Sequence, residues 1–500
     1  MTFLAAAAIA DAAQAQRVAV DPFVGATVTW TSNANLAPGS TAESDVLVEV
    51  SPGVGLAYEG ARLKAFGTLI LDGLYYVDRQ SYRILPSLDL NGTYEAIPDF
   101  LFLGAGIVTY YTAENPFGLR SIDRTTNNLF TTTQYRISPY IESTLGDNVR
   151  YGVRSDNVWT HNSGADSALT SDGYYTLNRA YIERTPLPLG GGLSIEYQKS
   201  DYEDSSREGL TQTLARAAVR LGFAASSWIG LRGGHEWVEY AMTDESGAIY
   251  GIEFSWTPDS RTSLKGFWEH RFFGSAWEAT ANWRGNRTAL DLRASRQLST
   301  YSEQLFDTPQ SNVSKLLDSV LSSQIVDPLE RAREVRSIFA SRGLAPSLPR
   351  AADVYSTQVS LQTDVSATAS VSLPRTTAAL SGYYRKTVPA PGETPLPVTG
   401  IGTVAGLAFT NSEQYGASLT GGYLLSPLLA VSGLAAWTRI ESLDLTPAVD
   451  ATQMSYRLAL IRRFAPRTTG NVGIRWQMLR SDVQADTREA AVFVGLLHRF

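Results

Sequence analysis

The chain has 500 residues and no cysteine, with 44% hydrophobic and 18% charged residues, a net charge of −7 and a mean hydropathy of −0.11. No stretch approaches the roughly 18 uninterrupted apolar residues that a membrane helix needs, which excludes helical membrane spans. The charges form no long like-charge runs, so no nucleic-acid partner is expected, and the lack of cysteine excludes disulfides, thiolate metal sites and cysteine nucleophiles.

Residues 1–15 form an apolar, alanine-rich stretch that ends in the small-residue pattern Ala13-Gln14-Ala15. This pattern is typical of a secretory signal peptide, and we expect cleavage after Ala15. The basic region that normally opens a signal peptide is missing, so we expect the true start to lie upstream of Met1. The alternative interpretation is the beginning of an ordinary alanine-rich helix.

From residue 18 onward, apolar and polar residues alternate over long runs, which is the period of a strand with two chemically different faces. In one run Ile84, Leu90 and Tyr94 share a face, while Asp89 and Thr93 lie on the other. A strand in a soluble sandwich usually has five or six residues, whereas a tilted membrane strand needs about nine to eleven. The longer runs therefore favour strands that cross a membrane.

Short turns and longer polar loops separate these runs alternately. Leu145 to Asn148 is a typical short turn, and residues 31–44 and 114–128 are typical loops. In an outer-membrane barrel, short turns face the periplasm and long loops face outward. We therefore predict an all-β fold for residues 16–500, a transmembrane antiparallel up-and-down barrel of about 22 strands with both termini on the periplasmic side.

The alternation stops in residues 301–354, where apolar residues recur at helical spacing. A second helix should begin after Asp327, with Pro328 at its first position and Glu330 completing a capping box. We predict a helical hairpin inserted in one outer loop, either a plug folded into the barrel or a surface cap on its rim. The residues expected to build it are Leu316, Leu317, Val320, Leu321, Asp327, Pro328, Glu330, Val335, Ile338 and Phe339.

The last strand, Val492 to Phe500, ends in an aromatic residue preceded by apolar residues at every second position. This ending resembles the sorting signal that the barrel-assembly machinery reads on outer-membrane proteins, although His498 departs from the usual residue type. The expected location is thus the outer membrane of a Gram-negative bacterium, with membrane lipid and the assembly machinery as partners.

Catalysis is not expected. Four histidines are present, at positions 161, 235, 270 and 498, but no Gly-x-Ser-x-Gly elbow accompanies them. His235-Glu236 lacks the second histidine of a zincin motif. The sequence therefore predicts no enzyme and no catalytic, metal or cofactor site.

The strand register instead predicts a charged inner face. The main interpretation is that these charges solvate the pore wall, and the functional one is weak selectivity for polar or anionic polymers. The predicted lumen-lining residues are Arg150, Arg154, Asp156, Arg216, Arg220, Lys265, Glu269, Arg271, Asp291, Arg293, Arg457 and Arg475.

Four short motifs carry a family resemblance: TSNANLAP at 31–38, SPGV at 51–54, GARL at 60–63, and the helix that opens with Asp327-Pro328 and ends in SRGL at 341–344. They resemble the PEP-CTERM system-associated outer-membrane protein family, and the similarity runs through most of the chain. The resemblance implies a role in exopolysaccharide export or surface assembly beside an exosortase system. Export would also need a periplasmic export protein as partner, because a strand is expected almost directly after the signal peptide. The alternatives are a general diffusion porin and a surface-assembly scaffold with a blocked lumen.

Overall fold

The computed structural model describes residues 17–112, 117–119, 129–163, 172–203, 209–224, 226–240, 243–300, 303, 312–322, 325, 327–342, 348, 351, 359–393, 411–443, 449–482 and 485–500. The predicted signal peptide lies outside these residues. The strands are β1 (Arg17–Thr31), β2 (Asp45–Glu59), β3 (Leu63–Tyr76), β4 (Ser81–Ile97), β5 (Leu101–Thr112), β6 (Phe130–Leu145), β7 (Val149–Ser163), β8 (Gly173–Arg184), β9 (Leu189–Tyr202), β10 (Leu210–Ala224), β11 (Ser227–Tyr240), β12 (Thr243–Asp259), β13 (Thr262–Arg271), β14 (Gly274–Arg284), β15 (Thr288–Ser299), β16 (Ser360–Ser372), β17 (Thr376–Pro389), β18 (Ser412–Ser426), β19 (Leu429–Ser442), β20 (Val449–Ala465), β21 (Thr468–Ser481) and β22 (Thr487–Arg499). Two helices, α1 (Asn312–Leu321) and α2 (Pro328–Arg342), lie between β15 and β16.

The 22 strands form one closed sheet. Each strand pairs antiparallel with its neighbour in sequence, and β1 also pairs with β22, from Phe23 opposite Arg499 to Thr31 opposite Ala491. Closure gives every described strand a partner on both sides, which hydrocarbon demands because lipid cannot hydrogen-bond a free edge. The predicted all-β, up-and-down barrel is confirmed, including its strand number.

The two faces of the sheet differ as the alternation predicts. On β4, Ile84 is 64% exposed on the outer face, and on β22 Val494 is 58% exposed there. Directly opposed residues share a face, so the register extends this assignment around the barrel. An apolar exterior on a closed barrel defines a transmembrane barrel. Among the described residues, no helix is long and apolar enough to span a membrane.

Arg17 and Phe500, the first and last residues that the structure describes, lie at the end of the barrel that carries the short turns, the end that faces the periplasm in such barrels. At the opposite end, however, at least three of the connections are also short: Val77 to Gln80, Phe272 to Phe273, and residues 241–242 between β11 and β12. The predicted strict alternation of short turns and long loops is therefore wrong at these places. Gly274 permits the second one, because its φ of 98° lies in the region that favours glycine.

Candidate functional site

The helical hairpin lies inside the barrel. Val320 of α1 belongs to one buried cluster with Ala289 of β15, and Leu317 belongs to another with Ala379 of β17. The register places both alanines on the inner face of the sheet. Leu317 and Val320 are completely buried, so the apolar side of α1 faces the barrel wall rather than water.

The hairpin residues predicted from the sequence take different positions. Six of them are buried: Leu316, Leu317, Val320, Leu321, Val335 and Ile338. Phe339 is partly buried against the cluster that contains Leu317 and Ala379. Asp327 directly precedes α2, Pro328 begins it, and Glu330 is exposed.

Ion pairs join the hairpin to the periplasmic end of the barrel. The Arg17 guanidinium, at the start of β1, lies 2.5 Å from the Asp327 carboxylate. Arg336 of α2 lies 3.0 Å from the carboxylate of Asp21, also on β1. The hairpin therefore reaches from the outer connection between β15 and β16 to the opposite end of the lumen, and a cap on the outer rim is not what the structure shows.

The end of α2 has a second attachment, at the turn between β16 and β17. Arg342 donates to the carbonyl oxygens of Leu373, at 3.4 Å, and Pro374, at 3.3 Å, and to the hydroxyl of Thr377. Burial lowers the pKa of the Arg342 guanidinium, although an arginine stays charged at physiological pH. The contacts of Arg17, Arg336 and Arg342 together are called the latch below.

A loop covers part of the outer end of the lumen. Phe117 and Leu119, in the connection between β5 and β6, are buried in a cluster with Ile440 and Leu479. These two partners belong to the inner faces of β19 and β21, so the loop crosses the outer opening. Sequence reasoning treated residues 114–128 as a polar loop, and the apolar Phe117 and Leu119 were the signal it missed.

The charged side chains predicted to line the lumen all lie on the inner face by register. They are Arg150, Arg154, Asp156, Arg216, Arg220, Lys265, Glu269, Arg271, Asp291, Arg293, Arg457 and Arg475. Several are buried in ion pairs rather than open to water. Arg216 binds Glu269 through two hydrogen bonds of 2.9 and 3.0 Å. Arg475 lies 2.5 Å from Glu489, with both side chains 1% exposed.

Part of this network escaped sequence reasoning. Glu236 accepts hydrogen bonds from the buried Arg271 guanidinium at 2.8 and 2.6 Å, and Glu253 accepts one from Arg220 at 2.6 Å. Arg179 and Glu196 form a further pair at 2.7 Å. The alternation of their strands could have placed these residues on the inner face, but their cross-strand partners depend on the pairing register.

The histidines do not meet in one place. His161, His235, His270 and His498 all lie on the outer face by register. His161 contacts the Asp172 carboxylate at 2.5 Å, and His498 contacts the Thr468 hydroxyl at 2.9 Å. Within the described part of the chain, no group of three or more His, Asp or Glu residues could hold a metal ion.

A closed antiparallel barrel with an apolar exterior, a charged interior and helices in its lumen defines the class of transmembrane β-barrels of bacterial outer membranes. No family model and no curated protein matches the chain. Among solved structures it is similar to Pseudomonas aeruginosa OprD, at 9% identity over 96% of this chain and 95% of that one, with a TM-score of 0.33. It is also similar to the FrpB iron transporter of Neisseria meningitidis, at 9% identity over 96% of this chain and 81% of that one, with a TM-score of 0.47. At these identities the likeness concerns the fold alone.

Proposed function

We propose that this protein is a gated conduit in the outer membrane of a Gram-negative bacterium and that the helical hairpin is its gate. The observation that carries this proposal is the position of the hairpin, which lies in the lumen and is tied to the periplasmic end through the latch. A barrel of 22 strands is wide enough to need a plug. The half-exposed ion pairs Arg17–Asp327 and Arg336–Asp21 contribute about 0–1 kcal/mol each, so a partner can break them.

The cargo that we propose is an exopolysaccharide linked to a PEP-CTERM and exosortase system. The support for this cargo is the resemblance of the motifs at 31–38, 51–54, 60–63 and 327–344 to the outer-membrane family of those systems. A periplasmic export protein is the proposed partner, since the latch lies at the end of the barrel that such a protein can reach. The proposed assembly route uses the barrel-assembly machinery and the terminal Phe500, which is 63% exposed.

A clean deletion strain tests this function. Polysaccharide is measured outside the cell and in the periplasm of the wild-type strain, the deletion strain, and the deletion strain that carries the gene back. Loss of polymer outside the cell, or its accumulation in the periplasm, with restoration by the gene, is the expected result. Normal secretion by the deletion strain would contradict the conduit.

A scaffold with a blocked lumen is the second candidate, and the position of the outer loop favours it. Phe117 and Leu119 cover part of the outer opening, so both ends of the lumen carry an obstruction. Conductance in planar lipid bilayers separates the candidates. The conduit should conduct once the hairpin is displaced, a scaffold should stay closed with the hairpin displaced, and a general diffusion porin should conduct in its wild-type form.

A further inference from the structure

Two arginines of the lumen wall face each other directly. The register places Arg154 of β7 opposite Arg179 of β8, and both point inward. Directly opposed residues in an antiparallel sheet have Cβ atoms about 5 Å apart, and like charges at that separation repel. The two guanidinium groups accordingly lean to opposite sides, that of Arg154 over the Tyr140 ring of β6 and that of Arg179 onto Glu196 of β9, so they flank one stretch of the wall with positive charge, which bound anions would stabilise.

The carboxylates that accompany these arginines lie deeper in the wall. Arg154 is 40% exposed and its partner Asp156 only 4%, while Arg179 is 54% exposed and its partner Glu196 25%. Arg136 also binds Asp156, at 3.1 Å, and is 39% exposed. Water in the lumen thus meets guanidinium groups in front and carboxylates behind them.

Another opposed arginine pair in the barrel shows the contrast. Arg457 and Arg475 are directly opposite on β20 and β21. Arg475 is buried against Glu489, and the Arg457 guanidinium covers the ring of Phe493 at 4.6 Å. That pair is packed into the wall, so its charges are internal to the fold, whereas Arg154 and Arg179 present theirs to the lumen.

Aromatic rings stand beside the exposed pair. The Arg154 guanidinium lies 4.9 Å from the centroid of the Tyr140 ring, which fixes its position. Phe102 stacks on Tyr140 with their centroids 4.9 Å apart and an angle of 13° between the ring planes. Both rings point inward by register. Tyr140 is covered by Phe102 on one side and by Arg154 on the other, so Phe102 is the ring that offers apolar surface near the cationic groups, which fits sugar rings that carry carboxylates.

This wall lies away from the gate. The helices contact β15 to β20 and reach β1 through Arg336, while the arginine pair is on β7 and β8. Arg179 is five residues from the periplasmic end of β8. Tyr181 lies on the same face, nearer that end, and its hydroxyl donates a hydrogen bond of 3.4 Å to the Glu142 carboxylate. A polymer that enters from the periplasm would meet this wall.

We propose that Arg154 and Arg179, with Tyr140 and Phe102, form a binding site for the carboxylate-bearing sugar units of an acidic polysaccharide. This proposal rests on the proposed function and names the chemical class of its cargo. The two guanidinium groups take carboxylates of neighbouring sugar units, the Phe102 ring takes the apolar face of a sugar, and Tyr140, between Phe102 and Arg154, holds Arg154 in position. Neutral glycans lack the charge and should bind weakly.

Binding of defined oligosaccharides to the purified full-length protein tests the site. Tri-galacturonate, maltotriose and inorganic phosphate are titrated calorimetrically at low ionic strength into wild-type protein, into Arg154→Gln/Arg179→Gln and into Arg293→Gln. Arg293 is the matched control, because it is an exposed inward arginine paired with Asp291 on β15. We expect tri-galacturonate to bind the wild type and Arg293→Gln within a factor of about two, and the double variant at least about tenfold more weakly.

Equal binding of maltotriose and tri-galacturonate, or equal binding by the double variant and the control, would overturn the site. Phosphate that binds as tightly as tri-galacturonate would show a site for small anions and would overturn the glycan assignment. Heat-modifiable migration checks that each variant is folded, and the single variant Arg179→Gln replaces the double variant if the latter fails to fold.

The site and the proposed function can fail separately. Specific binding by the purified protein together with normal secretion in the deletion strain would support the binding site and contradict the export function. A secretion defect together with unchanged binding by the double variant would support the conduit function and contradict the binding site.

Discussion

The two walls of the lumen differ in side-chain size, and this difference decides where the hairpin lies. The inner face of β16 to β19 is built mostly from small side chains that are buried, among them Ser370, Ala379, Ser418, Thr420 and Ser432. The inner face of β6 to β13 carries arginines paired with acidic side chains, and aromatic rings lie among them. Small residues leave room for helices against the wall, whereas large charged ones need water or each other. One barrel thus provides a docking surface and a hydrated wall.

The strongest way to break the docking surface is to charge it. We expect Val320→Asp to release the hairpin, because a fully buried position would then hold a carboxylate without a cation, at a cost of several kcal/mol. Conductance in planar bilayers should rise from the closed wild-type level to open-channel events. Ser337→Asp on the exposed side of α2 is the control and should stay closed. A closed Val320→Asp variant would contradict the hairpin's role as gate.

On the charged wall, the buried pair should matter for the barrel and not for the gate. Glu236→Gln leaves the Arg271 guanidinium buried without its carboxylate, which we expect to cost roughly 3–5 kcal/mol. The measurement is urea unfolding of the protein in lipid vesicles, followed by the heat-modifiable band. Asp291→Asn, which removes an exposed pair on β15, should change stability by less than about 1 kcal/mol. Equal losses in the two variants would contradict this division.

The close approach of α2 to the small-residue wall gives a subtler test. A Cβ on Gly422 would lie 2.8 Å from the Arg342 carbonyl oxygen and 2.9 Å from its Cβ, so Gly422→Ala should push the end of α2 away from β18. Overpacking of this kind costs about 1–3 kcal/mol and should raise the frequency of opening. Gly421→Ala, whose Cβ would meet the Ala378 Cβ at 3.7 Å and the Thr377 carbonyl oxygen at 3.8 Å, both ordinary contacts, is the matched control and should behave as wild type.

The smallest expected effect comes from the latch. Asp21→Asn weakens the contact with Arg336, and its half-exposed position limits the loss to about 0–1 kcal/mol. Opening frequency in bilayers should rise by at most a few fold, and the rise should disappear at high salt, which screens the wild-type pair as well. Asp450→Asn, which breaks a comparable pair with Arg439 on the outer face, should leave opening unchanged.

Much of the barrel could be predicted from the sequence, because lipid outside and water inside impose a period of two on every strand. The helices could also be predicted from a periodic pattern, since the apolar residues Val313, Leu317 and Leu321 recur at helical spacing. The docking of the hairpin was not. Arg336 and Asp21 are 315 residues apart, and no local pattern pairs them.

The wall chemistry was predictable only in part. Alternation predicts that Arg457 and Arg475 share one face of their strands, but burial of Arg475 against Glu489 depends on the pairing register of β21 and β22. The opposition of Arg154 and Arg179 depends in the same way on the register of β7 and β8. A one-residue slip would remove such contacts, and single-strand patterns do not fix the register.

A disulfide between α2 and the wall tests the central claim most directly, and the absence of native cysteine makes it clean. In Arg342→Cys with Gly422→Cys the two Cβ atoms would start 2.9 Å apart and need to separate by about 1 Å to reach the spacing of a disulfide. Gly421→Cys points outward and is the control partner. We expect oxidation to form the intramolecular bond in the Gly422 pair alone and to hold the channel closed, and reduction to let it open. Free thiols after oxidation, or equal conductance in both states, would contradict a hairpin that closes the lumen from inside.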